Sequence, residues 1–270
     1  MDDITAIAEV CQKHGLWMHV DGAYGAAAVF SDRHRALVQG IELADSVTLD
    51  PHKWLAMPFA AGVIVTRRPD ALRQAFAVAT PYMPRAHAGA TLPLDNFKIS
   101  TQWSRRMNSL KLWLTLQVHG RRAYEEHFER QLGLARNFAA WVRGSQEFEL
   151  LVEPDLTIVN LRARGKSEEE VARRNAAIVE AVTRDGQRWI SETQVAGRSV
   201  IRVMVISYLT EQRHLDALGR ELVRAAALSP RSRRASRVTR CRPRNLRNVS
   251  KLRVWLLDAS AAFLLCSGYC

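Results

Sequence analysis

Three short apolar segments in the first quarter of the chain constrain its fold more than any other feature. Residues 16–20 have the length and composition of a buried strand, and residues 46–49 and 62–66 have those of further short strands. Apolar side chains at helical spacing precede the first segment, in residues 4–11, and a second helical pattern around residues 33–43 follows it. Alternation of this kind predicts an α/β fold with a mostly parallel sheet, in which ligand-binding groups gather at the strand ends.

An aspartate and a lysine follow the first two of these strands. Asp21 stands in the motif HVDGAYG and Lys53 in the motif LDPHKW. A lysine that forms an imine with an aldehyde cofactor must be neutral to attack, and burial or nearby positive charge favours that form. A carboxylate can keep the cofactor's ring nitrogen protonated, so that the ring accepts electrons from the substrate. The pair therefore indicates pyridoxal phosphate chemistry, although singly a solvated loop lysine and a turn aspartate are the commoner interpretations.

The two motifs together resemble the group II pyridoxal-phosphate-dependent amino acid decarboxylases, which include the aromatic-L-amino-acid and glutamate decarboxylases. The resemblance continues in the same order through AAGVIV, TPYM, WSRR and SLKLW, and more loosely to about residue 227. It implies part of a fold-type-I large domain, with a mostly parallel sheet, and a small α+β domain at the C-terminal end.

The same resemblance assigns roles to residues around the cofactor. It implies that Lys53 forms the imine with pyridoxal 5'-phosphate and that Asp21 pairs with the pyridine nitrogen. Ala23 is expected to pack against the ring face, and His52 to lie beside the cofactor and its phosphate. The implied reaction is decarboxylation of an L-amino acid to the amine and carbon dioxide.

Three further residues are candidates for the site. Tyr82 matches a loop tyrosine that protonates the substrate carbon after carbon dioxide leaves, whereas a phenylalanine there would indicate an aldehyde-forming relative. The alternative for Tyr82 is an ordinary loop aromatic. Arg105 could hold a carboxylate or could belong to a solvated helix face. His19 shares a strand face with Asp21, which makes a role behind the site and a satisfied core histidine equally good interpretations.

The substrate and the activity of this chain are less constrained. By family frequency, an aromatic amino acid is expected first, with glutamate, aspartate or diaminobutyrate behind it. Alternatives are another pyridoxal phosphate activity, either aminotransferase or aldehyde-forming, and a catalytically inactive chain that only binds a partner. The family forms homodimers with the site between subunits, which implies a homodimer for the full-length protein.

The chain starts deep inside what would be the large domain. In relatives, the first half of that domain supplies the side chain that stacks on the ring and small hydroxyl residues that hold the phosphate. No glycine-rich phosphate loop replaces them here. We expect residues 1–115 to be the C-terminal part of the large domain, residues 116–228 a connecting helix and small domain, and residues 229–270 a disordered tail foreign to the family.

Periodicity predicts the elements of the small domain. A long helix is expected from Arg105 to about Trp141, followed by strands at residues 148–152, 157–161 and 200–205. Ser167 begins a capping-box pattern for the next helix, and a final helix is expected over residues 211–227.

Charge is concentrated in the tail. The chain has a net charge of +12, and residues 229–270 contribute +9 of it, because they hold ten Lys and Arg and one acid. A folded basic face for specific nucleic-acid binding is therefore not expected, although a disordered basic arm that binds nucleic acid non-specifically stays open. Residues 254–266 are too short an apolar run to span a bilayer comfortably, so no membrane association is expected.

Cysteine usage predicts the compartment. Only one of the four cysteines, Cys11, lies before residue 229, which argues against a disulfide framework and favours a reducing cytoplasm. Cys266 and Cys270 alone are weak evidence for zinc, and no metal site is expected. The first residues lack the pattern of a secretory signal.

Overall fold

The computed structural model describes residues 1–76, 78 and 95–229, together with the backbone of residues 263–266. The chain forms two compact units. The first comprises Met1–Gly133, Val205–Thr210 and the strand at residues 263–266, and the second comprises Leu134–Met204 and residues 211–229. The division falls at Gly133, and the domain boundaries expected from the sequence stay a prediction.

The first unit is built around one sheet. Its elements are α1 (Ile4–Lys13), β1 (Trp17–Asp21), β2 (Ser46–Leu49), β3 (Val63–Thr66) and α2 (Ala71–Phe76). β1 and β2 run parallel, and β3 pairs antiparallel with the far side of β2. The last strand of the chain, β8 (Phe263–Cys266), runs parallel beside β1. The three predicted strands are confirmed to within one residue and the first helix to within two.

Helix α1 covers one face of this sheet. The Asp3 carboxylate caps the helix by accepting a hydrogen bond of 3.0 Å from the backbone N–H of Ala6. Apolar residues of α1 then bury a small core with β1 and β2; its members are Ile4, Ile7, Ala8, Cys11, Leu16, Met18, Val20, Ala44 and Val47. Met18 and Val20 belong to this core. Because side chains alternate along a strand, Trp17, His19 and Asp21 lie on the opposite face of β1.

The segment between β1 and β2 differs from the prediction. After a first 3-10 helix at Gly25–Phe30, residues 33–43 form two further short 3-10 helices, Arg35–Val38 and Ile41–Leu43, instead of one α-helix. Gly40 separates them with a φ of 89°, and a Cβ there would lie 2.7 Å from Thr5 Oγ1. Only glycine tolerates both the left-handed conformation and this close approach, so the helical pattern is broken at this point.

A long helix, α3 (Asn108–Arg143), runs through the division between the units. It is interrupted at Gly120, whose φ of 67° and ψ of 175° are not helical. The predicted helix from Arg105 to Trp141 is therefore confirmed, with a later start and a break at Gly120.

The second unit contains an antiparallel sheet in the order β4-β5-β7-β6, formed by β4 (Phe148–Val152), β5 (Ile158–Ala163), β6 (Ser191–Val195) and β7 (Arg198–Met204). Its remaining helices are α4 (Glu168–Thr183) and α5 (Gln212–Leu228). Ser167 caps α4 by accepting a hydrogen bond of 3.2 Å from Glu170 N, as the sequence predicts. Strand β6 was not predicted.

In the described part of the chain, the helices are too short or too polar to traverse a bilayer.

Candidate active site

The loops after β1 and β2 meet at one edge of the sheet. The strand register pairs Asp21 with Thr48, so the two parallel strands end at the same level. Just beyond, the backbone N–H of Asp50 donates a hydrogen bond of 2.9 Å to the carbonyl oxygen of Ala23. The sequence-predicted residues Asp21, Ala23 and Lys53 are therefore carried by two loops that are bonded to each other.

Lys53 is held in a tight turn. Its backbone N–H donates to the Asp50 carbonyl at 2.9 Å, and its Nζ lies 2.9 Å from Asp50 Oδ2. About a third of the Lys53 side chain is exposed, so the amine is reachable from solvent. The other Asp50 oxygen faces the glycine of the next loop, since a Cβ on Gly62 would lie 3.5 Å from Asp50 Oδ1.

Asp21 is oriented by two hydrogen bonds to the same oxygen. Its Oδ1 accepts from the backbone N–H of Ala23 at 3.1 Å and from Thr48 Oγ1 at 3.3 Å. Its second carboxylate oxygen makes no hydrogen bond to any residue that the structure describes. One oxygen of an exposed, positioned carboxylate is thus available to a cationic N–H donor.

The backbone of Ala61 fixes the His52 ring. His52 Nδ1 lies 2.6 Å from the Ala61 carbonyl oxygen and 3.1 Å from the Ala61 nitrogen, so either tautomer finds a partner. The ring also makes an edge contact with Phe59, with 4.7 Å between ring centroids. His52 is therefore placed by the loop between β2 and β3, immediately before Lys53 in the chain.

His19 lies on the same face of β1 as Asp21 and is bonded to a serine. Its Nδ1 is 2.8 Å from Ser46 Oγ, which also accepts a hydrogen bond of 2.9 Å from Trp17 Nε1. Sequence reasoning missed Ser46, Thr48 and Asp50. The signal that could have found them is the alternation of polar and apolar residues in SVTLD, which puts all three on one strand face.

Two candidates are not joined to these residues. Arg105 is exposed before α3 and makes no hydrogen bond or ion pair with a residue in the described ranges. Tyr82 lies outside the described residues, so its role stays a prediction.

An aromatic cluster lies next to the lysine loop. Trp54, the residue after Lys53, is fully buried. Its ring packs 5.0 Å from the Tyr24 ring and 4.6 Å from the Phe128 ring, measured between centroids. Tyr24 belongs to the loop after β1 and Phe128 to α3. Trp54 therefore ties the backbone beside Lys53 to both elements.

Burial changes the ionisation of two side chains on α3 in this region. Burial is the main cause that lowers the pKa of His127 below its usual value, and the positive charge of Arg130 acts in the same direction. A hydrogen bond to the Trp54 backbone opposes both effects. Burial also raises the pKa of Tyr124. His127 is therefore favoured as a neutral side chain in contact with the lysine loop.

The donor set fits pyridoxal phosphate at two of its functional groups. Lys53 offers a primary amine to the aldehyde, and Asp21 offers an unused carboxylate oxygen to the protonated ring nitrogen. Ala23 is partly buried, and its side chain is a methyl group. The ion pair between Lys53 and Asp50 must open before the amine can react.

The sequence pattern of the pyridoxal-dependent decarboxylase conserved domain matches residues 1–164. An aromatic-L-amino-acid decarboxylase of Bacillus atrophaeus is 30% identical over 210 residues, which are 77% of this chain and 44% of the relative. A phenylacetaldehyde synthase of Arabidopsis thaliana is 27% identical over 217 residues, 80% of this chain and 44% of the relative. The chain thus spans less than half the length of these relatives.

A solved structure is also similar to this chain. Oryza sativa TDC, determined with PLP and tryptamine, superposes with a TM-score of 0.77 at 26% sequence identity. The superposition covers 84% of this chain and 48% of the rice chain. It confirms the predicted partial fold-type-I architecture, and the match over residues 1–164 confirms the resemblance from which pyridoxal 5'-phosphate was predicted. The chain belongs to the pyridoxal-dependent decarboxylase family.

Proposed function

We propose that this chain carries the lysine-bearing part of a site that decarboxylates an L-amino acid, with an aromatic amino acid as the first candidate substrate. The observation that carries the proposal is the meeting of the Asp21 and Lys53 loops, which the Asp50 N–H to Ala23 carbonyl hydrogen bond joins. The aromatic preference is supported by the names of the Bacillus and rice relatives. Whole-protein properties, namely a homodimer and a cytoplasmic location, belong to the same proposal.

Each residue has a distinct task in this proposal. The Lys53 amine would bind the cofactor through its aldehyde, and Asp50 is the partner of the amine when the cofactor is not attached to it. Asp21 holds the proton on the pyridine nitrogen with its unused oxygen, while Thr48 and Ala23 keep the other oxygen fixed. When bound, pyridoxal phosphate accepts the electron pair that carbon dioxide leaves at the substrate Cα. His52 would lie beside the cofactor and its phosphate, and Tyr82 would deliver the proton to Cα.

A second candidate function is formation of an aldehyde. It is favoured by the Arabidopsis relative, which is a phenylacetaldehyde synthase. The tyrosine at position 82 favours the amine, because the resemblance associates a phenylalanine there with aldehyde formation. A third candidate is a chain without activity of its own that binds a partner.

Cofactor attachment is the first test. The purified chain is mixed with pyridoxal 5'-phosphate, its visible absorbance is recorded, and the adduct is reduced with borohydride and located by mass spectrometry. We expect one adduct, at Lys53, and its loss in Lys53→Ala.

The chain offers a matched control. Lys98 Nζ lies 3.0 Å from Asp95 at the same three-residue spacing that relates Lys53 to Asp50 at 2.9 Å. Lys98→Ala should leave the adduct and absorbance unchanged. Equal labelling of Lys53 and Lys98 would mean that the amine is an ordinary surface lysine and would contradict the proposal.

Product analysis separates the candidate functions. With an aromatic L-amino acid, carbon dioxide with the amine and without ammonia supports decarboxylation. Carbon dioxide with ammonia and the aldehyde supports the second candidate. Specific labelling of Lys53 without either product would favour the chain that only binds a partner. Tyr82→Phe should shift the products from amine towards aldehyde.

A further inference from the structure

One face of the β1 and β2 pair carries a row of polar side chains. Met18 and Val20 face the core formed with α1, so Trp17, His19 and Asp21 occupy the other face of β1. The parallel register places Ser46 opposite His19 and Thr48 opposite Asp21. Both cross-strand pairs are hydrogen-bonded, through Ser46 Oγ to His19 Nδ1 at 2.8 Å and through Thr48 Oγ1 to Asp21 Oδ1 at 3.3 Å.

The hydrogen count at Ser46 decides which nitrogen of His19 carries the proton. Ser46 is buried, with 5% of its surface exposed, and its hydroxyl has one hydrogen to donate. Trp17 Nε1 can act only as a donor, and it uses the Ser46 oxygen as its acceptor at 2.9 Å. The Ser46 proton then has one acceptor among the residues that the structure describes, which is His19 Nδ1.

The opposite tautomer would be poorly satisfied. If His19 Nδ1 carried the proton, both Trp17 and His19 would donate to the Ser46 oxygen. The buried Ser46 hydroxyl would then have no acceptor in the described part of the chain. Leaving a buried donor unsatisfied costs more than the gain from a second donor to the same oxygen.

We propose that Ser46 is a positioning residue that fixes His19 with Nδ1 as the acceptor and Nε2–H as a free donor beside Asp21. His19 Nε2 makes no hydrogen bond to a residue in the described ranges. The Cα atoms of His19 and Asp21 are about 6.6 Å apart along the strand. The donor is directed at an anionic oxygen of the ligand that Asp21 and Lys53 hold. Only this last step rests on the proposed function.

The tautomer can be measured in the cofactor-free chain. Nitrogen NMR of ¹⁵N-histidine-labelled protein, at a pH where histidine is neutral, distinguishes the protonated from the unprotonated ring nitrogen. His19 is one of eight histidines, and its signals are assigned by their loss in His19→Gln. We expect an unprotonated Nδ1 and a protonated Nε2.

Two variants of Ser46 make the measurement specific. Ser46→Thr keeps the hydroxyl and should keep the single tautomer, whereas Ser46→Ala should give signals averaged between two tautomers. A protonated Nδ1 in the wild type would overturn the proposal, and so would identical His19 signals in the wild type and Ser46→Ala. Neither result depends on cofactor binding or decarboxylation.

The same nitrogen NMR spectra are then recorded with pyridoxal 5'-phosphate alone, and with the cofactor together with L-tryptophan or with tryptamine. A shift of the His19 Nε2 signal with the cofactor alone would identify a cofactor oxygen as the acceptor. A shift with L-tryptophan but not with tryptamine would identify the substrate carboxylate. Cofactor attachment at Lys53 without any shift in the three mixtures would overturn the donor role. Absence of attachment would count against the proposed function, and the tautomer would still decide the role of Ser46.

Discussion

Lys53 and Asp50 form an ion pair of 2.9 Å across a single turn, with both side chains partly exposed. The pair holds the amine beside the Asp50 carboxylate at the edge of the sheet. The same carboxylate faces Gly62, so the lysine turn and the loop before β3 share it. Release of this ion pair is therefore the first event that a reacting aldehyde must bring about.

Removal of the carboxylate should make Lys53 more reactive. In Asp50→Ala we expect acetylation of Lys53 by a water-soluble reagent to be about 1.5- to 5-fold faster, which corresponds to ~0.2–1 kcal/mol for a partly exposed ion pair. Mass spectrometry of the digested protein measures the rate at each lysine. Asp95→Ala is the matched control and should accelerate only Lys98. An unchanged rate at Lys53 in Asp50→Ala would show that the ion pair does not restrain the amine.

The Thr48 hydroxyl should contribute to cofactor retention. Thr48→Val keeps the shape of the side chain but removes the hydrogen bond to Asp21 Oδ1. We expect about 2- to 12-fold weaker binding of pyridoxal 5'-phosphate in an absorbance titration, since one hydrogen bond contributes ~0.5–1.5 kcal/mol. Thr66→Val removes another strand hydroxyl, which donates to the Arg68 carbonyl, and should bind the cofactor like the wild type. Equal binding by both variants would exclude a role for Thr48.

Gly22 should not tolerate a side chain. A Cβ at this position would lie 2.5 Å from Ala26 Cβ and 3.0 Å from the Thr48 carbonyl oxygen, so the loop after β1 would have to move. Overpacking of this kind costs about 1–3 kcal/mol, and Gly22→Ala should lower the free energy of unfolding by that amount in a denaturant titration. Gly62→Ala is the control, because the nearest atom to its Cβ would be 3.5 Å away. Similar losses in both variants would refute the steric argument.

Stability should depend on the ionisation of His127. Burial lowers the pKa of His127, so below about pH 6.5 the unfolded chain binds a proton that the folded chain resists. The stabilising contribution is complete above that pH and is lost as the pH falls towards the lowered pKa. The free energy of unfolding measured at pH 8 and pH 5.5 should therefore differ less in His127→Gln than in the wild type.

Arg130→Gln tests the cause of that pH dependence. It removes the positive charge that helps to lower the pKa of His127 and leaves the burial of the ring in place. The difference in unfolding free energy between the two pH values should fall between those of the wild type and His127→Gln. If the unfolding free energies at pH 8 and pH 5.5 differed as much in His127→Gln as in the wild type, the pH dependence would come from other groups.

Much of the first sheet could be predicted because β1, β2 and β3 are short apolar runs between polar residues. Helix α5 was predictable for a related reason, since Leu215, Leu218 and Leu222 recur at helical spacing and are buried. Strand β6 was missed because Ser191–Val195 is an edge strand with partly exposed side chains and no apolar run. The two 3-10 helices were mistaken for one α-helix because apolar spacing does not report the left-handed Gly40.

The site was only partly predictable from its motifs. Asp21 and Lys53 stand out because each follows a strand, but the partners Ser46 and Thr48 depend on the register of β1 and β2. The contact between Trp54 and Phe128 joins positions more than seventy residues apart. Long-range contacts of this kind are set by tertiary packing, which periodicity along one segment does not encode.

The hydrogen bond between the Asp50 N–H and the Ala23 carbonyl uses main-chain atoms alone. Every residue type at position 23 supplies the carbonyl group, and every residue type at position 50 except proline supplies the N–H. The spacing between the two reactive loops is therefore inherited with the backbone and is insensitive to sequence drift at these positions. Side chains around the loops can change during evolution, and with them the choice of substrate, while the spacing between the reactive groups stays the same.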